Sequence, residues 1–150
     1  MKLINTTSLD TDYLYKVVMY CMPKGLTRKD VNEVSFGNTR LGFHGRAWCL
    51  DMRTSMGIPK KVQYKRPVTT GGMRGYLPIK LYSWDEHLVE LVSHELRHIW
   101  QYKNDKKLPR EIKKIRRYNM GTRAHLLEVD ASLYAKRMVR MYRRSLGERF

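Results

Sequence analysis

The chain has 150 residues, with 30 Lys and Arg against 14 Asp and Glu, a formal net charge of +16 and an isoelectric point of about 10.1. That length suits one domain, and an apolar fraction of 42% is enough to bury a core, which excludes reading the charge as disorder. The longest largely apolar run near the N-terminus, Tyr13 to Met22, spans ten residues and carries Lys16, so neither a transmembrane span nor a secretory signal is expected. Cys21 and Cys49 belong to no Cys-x-x-Cys motif and read as reduced thiols of a cytoplasmic protein. Any metal must then be held by His and carboxylates.

In chain order, Asp12–Met22 has helical character and stops at Pro23-Lys24-Gly25, so the expected domain opens with a helix. Between Leu26 and Tyr82, β-branched and aromatic residues cut by Gly and Pro predict three or four strands at Val31–Phe36, Arg40–Cys49, Lys61–Lys65 and Arg74–Tyr82, with Gly71-Gly72 in a loop. Ser83-Trp84-Asp85-Glu86 has the form of a capping box, the Ser83 hydroxyl on the Glu86 amide and the Glu86 side chain returning to Ser83. It predicts a helix from Trp84 to about Tyr102. Lys107–Tyr118 reads as a basic connector containing Pro109, and Gly121-Thr122 offers a start for a last helix to about Arg144. The order gives an α+β domain over residues 1–150.

The helix after Ser83 contains His94-Glu95-Leu96-Arg97-His98. Side chains four apart on a helix differ by about 40° in direction, so both imidazoles can reach one zinc ion while Glu95 points to the side of the same pocket as general base. With five His and seven Glu in the chain, chance ordering would give this pattern roughly 0.01 times. Leu88, Val89, Leu91, Val92, Leu96, Ile99 and Trp100 fill an arc of about 180°, with both His at its edge beside His87 and Gln101. Arg97 falls on the polar strip near Glu86 and Glu90, where an ion pair is expected, and Glu90 is a candidate to orient His94.

A catalytic zinc needs a third protein ligand and an open position. The metzincin pattern would place Gly and His where the chain has Gln101 and Asn104, which excludes that class. The last helix offers His125, Glu128 and Asp130. Glu128 is flanked at helical spacing by Ala124, Ala131, Ser132 and Ala135, small residues that let this face approach a second helix, and His125 shares that face. Asp130 points about 200° away from Glu128 and cannot reach the same ion from a regular helix. Glu128 is the favoured ligand and His125 its rival.

These two helical motifs resemble those of compact gluzincin-type zinc metallopeptidases, the minigluzincins and the ImmA/IrrE-type peptidases. Glu128-Val129-Asp130-Ala131-Ser132-Leu133-Tyr134-Ala135 is similar to their Glu-x-Glu-Ala-Asp/Asn-x-Phe-Ala arrangement. The resemblance implies a zincin-like fold with an N-terminal helix, a small sheet, an active-site helix and a C-terminal glutamate helix. It implies His94, His98 and Glu128 as ligands of Zn2+ and Ser132 as support for a ligating His, although those families have Asp or Asn there. It also implies that the strand ahead of the active-site helix, here Arg74–Tyr82 with Pro78, takes peptide substrate by strand addition. Similarity to SprT-like proteases, which act on proteins bound to DNA, is weaker because their four-Cys zinc ribbon is absent.

The charge adds a second element. Nine basic residues against two acids lie between Lys103 and Arg123, and six more against Glu148 from Lys136 to Arg149. Such a distribution fits non-specific nucleic-acid contact through Lys103–Arg123 and the C-terminal helix. The first expectation is therefore a zinc-dependent peptidase acting on a protein or peptide substrate, with Glu95 as base and His125, Tyr118 or Tyr102 steadying the oxyanion. The alternative is a basic nucleic-acid-binding or virion-type protein whose metal is structural or lost. No membrane partner is expected.

Overall fold

A computed structural model describes residues 1–70, 78–104 and 122–145, with side chains in the last segment described from residue 127 onward. A strand, not a helix, opens the chain. β1 (Lys2–Asn5) precedes α1 (Thr11–Cys21), which is capped by Asp10 accepting a hydrogen bond from the Tyr13 amide. β2 (Glu33–Asn38), β3 (His44–Trp48) and β4 (Arg53–Ile58) follow, with a 3-10 turn at Cys49–Asp51 before β4. Met52 leaves that turn in the left-handed region at φ 49°.

The four strands form one mixed sheet in the order β1-β2-β4-β3. β1 and β4 run parallel to β2, and β3 runs antiparallel to β4, pairing Gly45 with Met56 and Ala47 with Thr54. Val34 and Phe36 of β2 and Thr54, Met56 and Ile58 of β4 alternate into the core. β5 (Val68–Thr70) and β6 (Ile79–Leu81) make a separate two-stranded antiparallel sheet.

Two of the expected strands are corrected. Lys61–Lys65 is irregular backbone, because Tyr64 turns in to bond His87 instead of joining a ladder. The strand expected over Arg74–Tyr82 is described only as β6. Gly71-Gly72, Arg74–Leu77 and the Lys107–Tyr118 connector lie outside the described residues.

α2 (Trp84–Asn104) and α3 (Thr122–Arg144) pack against each other, and α2 lies between α3 and the sheet. Leu88, Val92, Leu96 and Ile99 of α2 meet Leu14, Val17 and Val18 of α1 and the inward side chains of β2 and β4 in one core, which Tyr134, Met138, Val139 and Tyr142 extend onto α3. The Tyr134 hydroxyl donates to the carbonyl of Cys21, tying α3 to the end of α1. Ser83 caps α2 as expected, accepting from the Glu86 amide at 3.1 Å. The Glu86 side chain does not return to Ser83. It is fully buried, accepts from the Tyr82 amide and pairs with Arg143 of α3, a charged partner that outcompetes the neutral Ser83 amide. No helix among the described residues is long and apolar enough to cross a membrane.

Candidate metal centre

His94 and His98 stand one turn apart on α2, and the small face of α3, with Ala131 and Ala135 fully buried, lets Glu128 reach them across the helix pair. Glu128 Oε2 is 2.9 Å from His94 Nε2, Glu128 Oε1 is 3.1 Å from His98 Nε2, and the two Nε2 atoms are 3.2 Å apart. With one ligand atom taken from each residue, all three lie within 4.8 Å of one another, which is close enough to share one ion. It is the three-donor group found among the described residues.

The tautomer of His98 follows from its other nitrogen. Nδ1 lies 2.9 Å from Gln101 Oε1, an amide oxygen that can only accept, so Nδ1 keeps its proton and Nε2, which faces the cluster, is the nitrogen that loses its proton to become a ligand. The Gln101 amide is itself fixed, its nitrogen donating to Leu127 O at 2.9 Å and Asp130 Oδ2 at 2.8 Å on α3. Sequence reasoning missed this role. A polar residue three positions after the second His of the motif, on the same helical face, was the available signal.

Burial dominates the electrostatics. It lifts the Glu95 carboxyl above its ordinary range; His98 and His94 oppose this and Glu128 adds to it. Burial would also raise Glu128, yet hydrogen bonds from His94 and His98 more than reverse the effect and hold it well below the usual carboxylate range. For His98, burial disfavours the imidazolium but the adjoining Glu128 prevails and lifts it to about 9. Glu90, half-buried one turn before His94, is raised to about 7, first by burial and then by Glu95, with His94 opposing.

Glu95 is 7% exposed and lies beneath β3, where Gly45 makes room for it. The edge strand beside the cluster is thus β3, whose outer edge pairs with no strand among the described residues. β6, expected in that place, pairs with β5 and belongs to the other sheet.

Arg97 does not pair with Glu86 or Glu90. Its guanidinium makes a two-pronged contact with Asp130, at 2.8 Å and 3.1 Å, and sits 3.6 Å from the centre of the Trp100 ring. α3 brings Asp130 within reach, while Glu86 is taken by Arg143. Asp130 is accordingly outside the donor triangle and clamps the two helices. Ser132 is buried four residues after Glu128, but its hydroxyl makes no hydrogen bond among the described residues, so the support expected of it falls instead to Gln101.

His125 lies on α3 one turn before Glu128 with its side chain outside those described, and Tyr118 lies outside the described residues altogether. Tyr102 is half-buried one turn beyond His98. Most of the Lys103–Arg123 segment also falls outside the description.

No protein-family model matches this chain, and no curated protein and no solved structure matches it significantly.

Proposed function

We propose that the chain is a zinc-dependent metallopeptidase of zincin-like architecture, with His94, His98 and Glu128 as ligands and Glu95 as general base. The observation that carries the reading is the convergence of His94, His98 and Glu128, one ligand atom from each within 4.8 Å of the others, with Glu95 buried beside them and the His98 ring oriented by Gln101. A half-buried cluster of two imidazoles and a carboxylate suits a borderline-soft divalent cation such as zinc. Bound there, zinc would polarise the scissile carbonyl and acidify a water molecule.

The remaining roles belong to the chain. A peptide adds antiparallel to the free edge of β3, which brings its backbone past Gly45 and over Glu95. Glu95 takes a proton from the attacking water and hands it to the departing amide nitrogen, and its raised proton affinity suits both halves of the transfer. Glu128, held ionised, remains a ligand throughout.

Glu95→Gln tests the reading, because the amide keeps the shape and cannot accept the proton. Zinc content should stay at one per chain while cleavage of an unfolded protein falls by about two to four orders of magnitude. Cleavage at the parental rate, or a folded wild-type chain that binds no zinc, would reject it.

A further inference from the structure

On α3, Lys136, Arg140 and Arg143 follow one another at i, i+4 and i+7 and so line a single face. Between that face and β6 lies a cleft of about 260 Å³, whose walls are Lys80, Lys136, Arg140 and Arg143 with Pro78, Ile79, Tyr82 and Val139. We propose that this cleft binds the phosphodiester backbone of nucleic acid, with Tyr82 at its mouth as a surface for a base to stack on.

Charge complementarity chooses the occupant. No Asp or Glu lines the cleft among the described residues, and Glu86, which pairs with Arg143 at its wall, is buried. Elsewhere on the described surface Lys61 pairs with Asp85, Lys103 with Asp30 and Arg53 with Asp51. Lys80, Lys136 and Arg140 form no ion pair among the described residues. Arg143 acts as the fixed post: its Nη2 donates to the Lys80 carbonyl at 2.9 Å and its guanidinium lies 4.6 Å from the centre of the Tyr82 ring. Tyr82 remains 52% exposed beside it. Close cations around an exposed aromatic ring are the elements with which proteins grip a nucleic-acid strand without reading its sequence.

The cleft is distinct from the metal centre. Lys136 and Arg140 are eight and twelve residues beyond Glu128, about 12 Å and 18 Å along the helix. The inference goes beyond the peptidase reading and stands whether or not zinc is bound.

The test is fluorescence anisotropy of labelled single-stranded and duplex DNA of mixed sequence, with and without a chelator, from about 50 to 200 mM salt. Wild type should bind with a steep salt dependence that the chelator leaves unchanged. Lys80→Gln, Lys136→Gln and Arg140→Gln together should weaken binding at least about tenfold and flatten the salt slope by about two to three, at roughly 0.9 for each phosphate that is no longer neutralised. Lys16→Gln, Lys29→Gln and Lys60→Gln, which remove the same charge from other exposed positions, should stay within about threefold of wild type. Arg140→Glu alone should weaken binding more than Arg140→Gln. Equal losses in the two triple variants would show that net charge alone drives binding and overturn the cleft. Absence of salt-sensitive binding by the wild type would overturn it too, as would binding only to vesicles containing phosphatidylserine.

Discussion

A β-carbon on Gly45 would lie 2.7 Å from Cγ of Glu95 and 2.9 Å from Cδ1 of Leu91. Neither atom can be approached that closely, so glycine is what allows the edge strand to lie directly on the proposed base. Gly45→Ala should therefore push Glu95 aside while leaving His94, His98 and Glu128 in place. Displacement of about 1 Å at a reacting group costs roughly 100-fold in rate. The expected outcome is a protein with full zinc content and a kcat/KM lowered by about that factor. Unchanged kcat/KM would mean that Glu95 does not act in the chemistry, or that β3 yields freely.

Glu128 and Asp130 are two residues apart on α3 yet do different work, one in the donor triangle and one clamping Arg97 and Gln101. Glu128→Ala should abolish stoichiometric zinc binding. Asp130→Ala should keep zinc, weakened about 10-fold through the loosened Gln101, and lose about 1–2 kcal/mol of stability because Arg97 is left without its carboxylate. Metal titration and chemical denaturation of the two variants separate the effects. Equal loss of metal in both would remove Glu128 from the ligand set.

Gln101 offers a sharper check on the tautomer argument. Gln101→Leu keeps the bulk but releases Nδ1 of His98, so zinc affinity should fall about 10–100-fold with secondary structure unchanged. Gln101→Glu retains an acceptor at the same place and should restore part of the affinity. If Leu and Glu behave alike, the bond to His98 is irrelevant to metal binding.

The parts of this fold that depend on local periodicity were legible in the sequence. α2 begins at Trp84 and α3 at Thr122, as the cap at Ser83 and the break at Gly121 foretell, and the face of Glu128 follows from its small neighbours. The parts that depend on distant partners were not. Lys2–Asn5 is too short and mixed to announce a strand, and becomes one only by pairing with β2 some thirty residues away. Arg53–Ile58 hides its alternation because Ser55 and Gly57 dilute the outward face, Gly57 being covered by the ring of His44. Arg97 misled for the same reason. A helical wheel shows the neighbours on its own helix, whereas Asp130 arrives from another.

Metal binding should be linked to protons. In the metal-free protein the Glu128 carboxylate lifts His98 to about 9, so at neutral pH that imidazole carries a proton that zinc must displace. Apparent zinc affinity should rise with pH by at least about tenfold per unit between pH 6 and 8, one proton being released per ion bound. Calorimetric titrations in buffers of different ionisation enthalpy count that proton directly. A pH-independent affinity over this range would show that His98 is already neutral before the metal arrives.

His87 makes a separate prediction about acid stability. Its ring is stacked on Phe43 at 4.0 Å, and Nδ1 lies 2.9 Å from the Tyr64 hydroxyl, on the side of a groove of about 500 Å³. Burial lowers it from 6.5 to about 4. Between those values the unfolded chain binds a proton that the folded chain does not, so the stability is intact above the unfolded value and is lost as pH falls toward 4. At 1.36 kcal/mol per unit the full shift corresponds to about 3 kcal/mol, and screening on the open side of the ring reduces this to about 1–2 kcal/mol. His87→Phe retains the stacking surface without a titrating group. Its denaturation midpoint, measured on the metal-free protein at pH 7 and pH 5, should fall less on acidification than that of the wild type by about this amount. Parallel losses in the two proteins would place the acid sensitivity in other groups and leave His87 as simple packing.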